Sequence, residues 1–226
     1  MSTPVIQSFP LGGFQTNCHV VWVPGPDGAT AGQECWIVDP GEGPGAVIDF
    51  VRAKGLVPSH LLLTHAHADH IAGLDAVSAA FPAARVLLHR DEHAFLSDPQ
   101  LNLSAFIGIP ITTRGADGEL RDGQELGLGD SRWRVLHTPG HSPGGVTIAC
   151  DAAGEAIVGD TLFAGSIGRV DFPTSDPARM HRSLHEVLMR LPDAVRVHPG
   201  HGPSTTIGSE RRSNPWLQDD GWAEEA

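Results

Sequence analysis

Histidine and aspartate side chains are concentrated in one short stretch of the chain. Residues 64–70 read Thr-His-Ala-His-Ala-Asp-His, and four of these positions can bind a metal ion: His65, His67, Asp69 and His70. Neutral imidazole binds zinc, iron and copper, and a carboxylate adds the negative charge that holds a dication. These residue types therefore indicate a transition-metal site.

The apolar segments that flank this stretch predict how its ligands are held. Residues 60–64 form a short apolar run that is typical of a buried strand, and residues 72–80 favour a helix. Because side chains alternate along an extended chain, His65 and His67 should point to the same side, with Asp69 following as the chain turns. The sequence therefore predicts a strand-to-helix loop whose ligands form two groups, each of which needs further ligands from elsewhere.

Three other potential ligands also follow predicted strands. They are His141 after residues 132–136, Asp160 at the end of residues 155–160, and His201 after residues 195–200. In open α/β sheets, functional groups gather outside the carboxyl ends of strands. We therefore expect these side chains to converge with the first four in one crevice.

The ordered ligand set resembles a known family. The series His65-x-His67-x-Asp69-His70, His141, Asp160 and His201 is similar to that of the metallo-β-lactamase-fold hydrolases. Three segments resemble the glyoxalase II-like (hydroxyacylglutathione hydrolase) branch: residues 159–163, residues 165–172 and residues 199–210. The likeness runs from about the first strand to Leu217, which is nearly the whole chain.

This resemblance implies a fold, a ligand set and a cofactor. The implied fold is α/β, a four-layer αββα sandwich with a binuclear site at one edge. The implied ligands are His65, His67 and His141 for the first metal, Asp69, His70 and His201 for the second, and Asp160 as the bridge. We expect two divalent metal ions, with zinc as the first choice and iron or manganese as alternatives, because the same ligands accept all three.

The resemblance also implies a reaction. A dication lowers the pKa of bound water towards about 7, which makes hydroxide available as a nucleophile. Asp69 is the candidate catalytic residue, because a carboxylate beside that hydroxide can orient it and handle its proton. The expected activity is hydrolysis of a small-molecule thioester such as S-lactoylglutathione, or of a related small ester.

The substrate contacts are less closely specified. Full-length glyoxalase II enzymes carry a C-terminal helical domain that supplies much of the glutathione pocket, and we expect a compact form without it. Arg211 and Arg212 are candidate contacts to a substrate carboxylate, with a solvated helix face as the alternative. His137, just before Thr-Pro-Gly-His, is a candidate for orienting a metal ligand, or only a packed strand residue. The loop-rich stretch of residues 101–123 is predicted to border the cleft.

Two other functions fit the same ligand residues. A persulfide dioxygenase would hold one iron with His65, His141 and Asp160, since a facial triad leaves positions open for oxygen. A non-catalytic metal-binding scaffold is the second alternative, although every ligand position is filled. A closed structural zinc site is disfavoured, because such sites are usually rich in cysteine.

Composition limits the class of protein. The 226 residues are 40% hydrophobic, which predicts one domain over residues 1–217 and a disordered acidic tail over residues 218–226. The net charge of −12, with Lys54 as the single lysine, argues against nucleic acid as a partner. The sequence shows neither a signal peptide nor an apolar run that would span a membrane, so we expect a cytoplasmic protein without a membrane partner. Cys18, Cys35 and Cys150 are expected to be reduced.

Regular apolar spacing predicts the remaining elements. Strands are expected over residues 5–9, 18–23, 35–38 and 85–88, and helices over residues 46–54, 91–96, 177–190 and 209–213. Asp176 before Pro177 is a suitable helix N-cap.

Overall fold

Two six-stranded mixed sheets form the centre of the computed structural model, which describes residues 3–218. The first sheet has the order β1 (Val5–Leu11), β2 (Thr16–Trp22), β3 (Glu34–Val38), β4 (Val57–Leu62), β5 (Arg85–His89) and β6 (Gly118–Leu120). Strands β1 to β3 are antiparallel, and β3 to β6 are parallel.

The second sheet is mostly antiparallel. Its order is β12 (Thr205–Thr206), β11 (Arg196–Pro199), β10 (Glu155–Gly159), β9 (Val146–Cys150), β8 (Ser131–His137) and β7 (Glu125–Leu128). Only β10 and β11 run parallel.

Helices cover the outer face of each sheet. Helices α1 (Gly45–Lys54), α2 (Ala68–Ile71) and α3 (Leu74–Ala80) belong to the first half of the chain, and α4 (Pro177–Arg182) and α5 (Ile207–Ser213) to the second. Asp176 caps α4 by accepting a 2.8 Å hydrogen bond from the Arg179 N–H, as predicted. After Arg182 the helical path continues to Arg190, first as a π-helical segment and then as a 3₁₀ turn.

Three apolar cores separate these layers. Between the sheets, the rings of Trp36 and Trp133 pack with centroids 5.7 Å apart. The neighbouring residue Ile37 points the other way, into the core shared with α1 and α3, because side chains alternate along a strand. The third core joins the second sheet to α4 and α5 through residues such as Met180 and Ile207. The resulting order of helix, sheet, sheet and helix confirms the predicted αββα sandwich.

Local sequence patterns predicted most elements but not all. Strands β7 and β9 were not predicted, and residues 101–123, predicted as a loop, contain β6 and a 3₁₀ turn at Ser104–Ile107. The helix expected over residues 72–80 is preceded by α2, which begins inside the metal-binding motif at Ala68. Of the predicted acidic tail, residues 219–226 lie outside the described part of the chain.

Backbone hydrogen bonds join the two sheets at one edge. The Val146 N–H donates to the Thr64 carbonyl at 2.9 Å, and the Asn17 N–H donates to the Gly200 carbonyl at 2.7 Å. These bonds bring the loops that follow β4 and β11 to the same edge. All three cysteines are buried and free, and within residues 3–218 every helix is too short or too polar to cross a bilayer.

Candidate metal centre

The candidate ligands lie where strands end at this shared edge. After β4 the chain stays extended as far as His67 and then enters α2, which places Asp69 and His70 on its first turn. The predicted strand-to-helix loop is therefore present. His141, Asp160 and His201 follow β8, β10 and β11 respectively.

Glycine permits the close approach of these loops. A Cβ atom at Gly200 would lie 2.1 Å from Asp160 Oδ1 and 2.7 Å from His70 Cε1. A side chain at this position would therefore displace two of the candidate ligands.

The first ligand group consists of His65, His67 and His141, which are all buried. One nitrogen of each ring lies within 4.8 Å of the others, and His67 Nδ1 is 2.9 Å from His141 Nε2. The buried Nε2 atoms of His65 and His67 have no hydrogen-bond partner among the described residues. Because unpaired buried nitrogens are costly, their convergence fits a shared metal ion.

The second group consists of Asp69, His70 and His201, again with ligand atoms within 4.8 Å of one another. Asp69 Oδ2 lies 3.1 Å from His201 Nε2 and 3.4 Å from His70 Nε2. Unlike the first group, this one is partly exposed, at Asp69 and His201.

Asp160 lies between the two groups. Its Oδ1 atom is 3.4 Å from His70 Nε2. Its Oδ2 atom is 3.5 Å from His141 Nε2 and 3.4 Å from His201 Nε2. One carboxylate therefore reaches ligand nitrogens of both groups, as expected of a bridging ligand.

The electrostatics of the two groups differ. Burial, reinforced by neighbouring histidines, holds the pKa values of His65 and His67 well below the usual range, so both rings are neutral. At His70, three carboxylates outweigh the effect of burial and raise the pKa. Burial also opposes charge on His201, but hydrogen bonds to Asp160 and Asp69 raise its pKa to about 9. Since metal binding requires neutral imidazole, only the second group must lose protons.

Two buried carboxylates that the sequence analysis missed hold the ligand loops. Asp39 accepts hydrogen bonds from the Thr64 N–H (2.7 Å) and hydroxyl (2.6 Å), and from His70 Nδ1 (3.0 Å). Glu92 is fully buried and accepts hydrogen bonds from the N–H groups of Ala66 and Gly144. Burial raises the pKa of Glu92 to about 7, although those N–H groups oppose the shift.

Glu92 therefore ties together the two loops that carry the first ligand group. Ala66 lies between His65 and His67, and Gly144 follows His141 by three residues. Such outer contacts orient metal ligands. Glu92 sits in the predicted helix of residues 91–96, and its partners are 26 and 52 positions away, so no local pattern identifies its role.

Backbone carbonyls orient two of the histidine rings. His141 Nδ1 lies 2.8 Å from the Arg169 carbonyl, and His201 Nδ1 lies 3.1 Å from the Phe14 carbonyl. A ring that donates through Nδ1 leaves Nε2 free to face a metal. The Thr16 hydroxyl similarly fixes Asp69 with a 2.6 Å hydrogen bond to Oδ2.

The other predicted site residues lie away from the ligand atoms. His137 Nε2 is 3.1 Å from the Pro143 carbonyl, in the loop that carries His141, and its ring stacks on His89 with centroids 4.4 Å apart. Arg211 donates to the Met189 carbonyl at 2.7 Å and pairs with Asp193.

Neither candidate arginine lies against the cavity over the metal centre. That cavity, of about 580 Å³, is bordered by other residues, including Arg169. Arg212 is exposed on α5 beside Arg211. The structure therefore does not bring the two arginines to the metal centre.

Known proteins resemble the chain over most of its length. A family model described as "Metallo-beta-lactamase superfamily" matches residues 11–201. The probable metallo-hydrolase YqgX of Bacillus subtilis (strain 168) is 37% identical over 92% of this chain and 95% of its own length. The hydroxyacylglutathione hydrolase GloC of Haemophilus influenzae (strain ATCC 51907 / DSM 11121 / KW20 / Rd) is 32% identical over 94% of this chain and 97% of its own.

Two solved structures share the fold and a substantial part of the sequence. The BLEG-1 B3 metallo-β-lactamase superposes with a TM-score of 0.87 and 40% identity, covering 95% of this chain and all of its own. TTHA1623 in a di-iron-bound form has a TM-score of 0.79 and 36% identity, over 93% of this chain and all of its own.

Proposed function

The chain belongs to the metallo-β-lactamase superfamily of metal-dependent hydrolases, and from this premise we propose that it hydrolyses thioesters with two divalent metal ions. The position of Asp160 is the observation that supports the two metal ions of this proposal. Its carboxylate lies within 3.5 Å of ligand nitrogens in both groups. A single negative charge placed there would stabilise two dications together.

The donor set fits the proposed metals. Five imidazoles and two carboxylates suit zinc, iron and manganese alike, and we propose zinc as the first choice. The di-iron form of TTHA1623 supports iron as the alternative to test beside it. When bound, the two ions would supply hydroxide at neutral pH and polarise the scissile carbonyl.

The residues of this chain orient and hold the reactants. The Thr16 hydroxyl and the His201 ring fix Asp69, whose pKa lies below the usual range because these contacts and His70 outweigh burial. The ionised carboxylate at the cavity floor can accept a hydrogen bond from the attacking water and so orient it. Neutral His65, His67 and His141 leave the first group free of cationic charge that would repel a metal.

One relative favours thioester hydrolysis over the other candidate reactions. GloC, 32% identical along nearly the full length of both chains, is a hydroxyacylglutathione hydrolase by name. The persulfide dioxygenase alternative would use only His65, His141 and Asp160, and leaves the second ligand group without a role. We propose that His137 steadies the His141 loop. Any contact of Arg211 with a substrate carboxylate would require its present contacts to break, and Arg212 would have to reach the substrate from the exposed face of α5.

The direct test is release of free thiol from S-D-lactoylglutathione. Protein loaded with zinc, manganese or iron should release thiol in a metal-dependent way, with two metal ions bound per chain. Oxygen consumption with glutathione persulfide at one iron per chain would instead establish the dioxygenase. Metal binding without turnover of any thioester, ester or persulfide would support the scaffold and refute the proposed hydrolase.

A further inference from the structure

A largely apolar cavity lies directly over the candidate metal centre. It encloses about 580 Å³, and its floor is formed by candidate ligands. Its walls include Phe14, Leu103, Phe106, Ile107, Phe163 and Phe172. A ligand that reaches the metal ions therefore has to lie against these side chains.

The rim of this cavity exposes unusually large apolar side chains. Phe14 is 58% exposed, Phe106 66% and Ile107 46%, and all three line this cavity. Contiguous exposed apolar surface of this kind marks ligand-binding grooves in proteins. Its position at the mouth of a candidate active site indicates that a substrate covers it.

A second groove of about 240 Å³ continues this surface on the other side of Asp69. It is lined by Leu11, Ile109 and Ile111, and it shares Phe14, Ile107 and Asp69 with the first cavity. The apolar surface therefore continues from the first cavity into the second groove past Asp69.

The wall that carries Phe106 and Ile107 is firmly anchored at its base. Asn102 is fully buried, and its side-chain amide donates to the carbonyls of Phe95 (2.8 Å) and Ile111 (3.0 Å). The Asn102 carbonyl accepts a 2.9 Å hydrogen bond from the Ala68 N–H, inside the metal-binding motif. The apolar wall is thus built onto the same backbone that positions Asp69.

Charged groups around the cavity do not suit an anionic substrate. Arg169 is the single arginine or lysine among the described residues that line either cavity. Its guanidinium makes two 2.8 Å hydrogen bonds to Asp171 and lies over the Phe172 ring at 4.5 Å. Apart from the candidate ligand His201, the carboxylates of a glutathione conjugate would therefore find the one guanidinium of the cavity wall already paired.

We infer that the substrate carries an apolar acyl chain, which lies against Phe106 and Ile107 while its carbonyl faces the metal centre. This inference rests on the proposed thioester hydrolysis and narrows its substrate class. It places a medium-length or aromatic acyl group in the cavity and makes lactoyl, a short and polar acyl group, a poor fit.

A series of thioesters of one neutral thiol tests this inference. Acetyl, butanoyl, hexanoyl and octanoyl thioesters of N-acetylcysteamine should show kcat/KM rising by up to about fourfold for each added methylene, until the chain fills the cavity. Phe106→Ser and Ile107→Ser should flatten this dependence. Val57→Ser removes an exposed apolar side chain that borders neither cavity and should leave the dependence unchanged.

Binding to metal-free protein supplies a readout that does not depend on turnover. The S-octyl thioether of N-acetylcysteamine cannot be hydrolysed and should bind more tightly than its S-ethyl counterpart, with Phe106→Ser removing most of the difference. Chain-length-dependent binding without hydrolysis of any thioester would refute the proposed function and leave the apolar site in place. Hydrolysis that is indifferent to chain length, or that favours lactoyl over octanoyl, would overturn the apolar-acyl inference alone.

Discussion

The two ligand groups of the candidate metal centre differ in burial and in charge. His65, His67 and His141 are buried and neutral, and Glu92 ties their two loops together. In the second group, the side chains of Asp69 and His201 are 20% and 27% exposed. They border the cavity and carry charge.

This contrast assigns different tasks to the two groups. The first offers buried, neutral nitrogens on two loops that Glu92 holds together, which favours retention of a metal ion. The second exchanges protons when it binds a metal and lies where substrate enters. Variants that affect one group and spare the other should therefore separate metal retention from turnover.

The largest expected effect comes from removing the residue that serves both groups. Asp160→Ala deletes the carboxylate within 3.5 Å of ligand nitrogens on each side. We expect lower occupancy at both sites and a loss of turnover of more than about a hundredfold, beyond the range typical of outer contacts. Metal analysis after dialysis, with thiol release in parallel, measures both effects.

The matched control for this variant is Asp171→Ala, which removes an exposed aspartate near the same cavity. It should retain two metal ions and most of the activity. Two tightly bound ions in Asp160→Ala would exclude the bridging role of this carboxylate.

Glu92→Gln should weaken the first group selectively. A glutamine has one acceptor oxygen, so its amide nitrogen would face the N–H of Ala66 or Gly144 and one of the two loops would be released. We expect the affinity for the more tightly bound metal to fall by about 10- to 100-fold, as measured by competition with a chromogenic chelator.

A purely structural role for Glu92 would give a different result. In that case thermal stability would fall while both metal affinities changed together. Glu125→Gln, an exposed glutamate on β7, serves as the control and should behave as the unaltered protein.

Asp39→Asn should selectively weaken metal binding by the second group. The effect should be smaller than that of Glu92→Gln on the first group. Asp39 has a φ of +52°, a conformation that asparagine tolerates, so the backbone should be retained. The carboxylate accepts from the Thr64 N–H through Oδ1, and from the Thr64 hydroxyl and His70 Nδ1 through Oδ2, so an amide with one acceptor oxygen would leave at least one of these donors facing its NH2 group. We expect about tenfold weaker binding of the second metal with the first unchanged. Equal weakening of both would show that the two groups are not separately supported.

Sequence patterns identified the candidate ligands of both groups, but not the buried carboxylates that hold the ligand loops. The seven candidate ligands were recognisable because they follow strand ends and because their order resembles that of a known family, and the four layers followed from that resemblance. Asp39 and Glu92 were missed because their partners are distant in the chain and a lone acidic residue has no periodic signature. Strand β7 has only 4 residues, too few for a clear pattern. Every residue of β9 is buried, so its sequence shows little alternation between apolar and polar residues.

Sequence reasoning also placed residues 101–123 at the cleft, where Leu103, Phe106 and Ile107 do line the cavity. The position of Arg211 was not predictable, because its charge is taken up by Asp193 and by two carbonyls near the end of the preceding helical path. Nearness to the family-like segment of residues 199–210 did not reveal these contacts.

The smallest expected effect concerns a buried histidine beneath the second group. His19 is fully buried on β2, with its Nδ1 atom 2.8 Å from Ser8 Oγ, and its ring packs on His198, which precedes the His201 loop. Burial, with the neighbouring His198 adding to it, lowers the pKa of His19 to about 3. The unfolded chain takes up a proton at this residue below about pH 6.5 and the folded protein does not, so folding stability falls as the pH falls.

Chemical denaturation of metal-free protein measures this loss. Between about pH 7.5 and about pH 5.5, the unaltered protein should lose about 1 kcal/mol more unfolding free energy than His19→Leu. Ser8→Ala keeps the imidazole buried and should retain the pH dependence. If His19→Leu shows the same dependence as the unaltered protein, His19 is not held neutral by burial. The loss of stability in acid would then arise from other histidines that burial keeps neutral, such as His65 and His67.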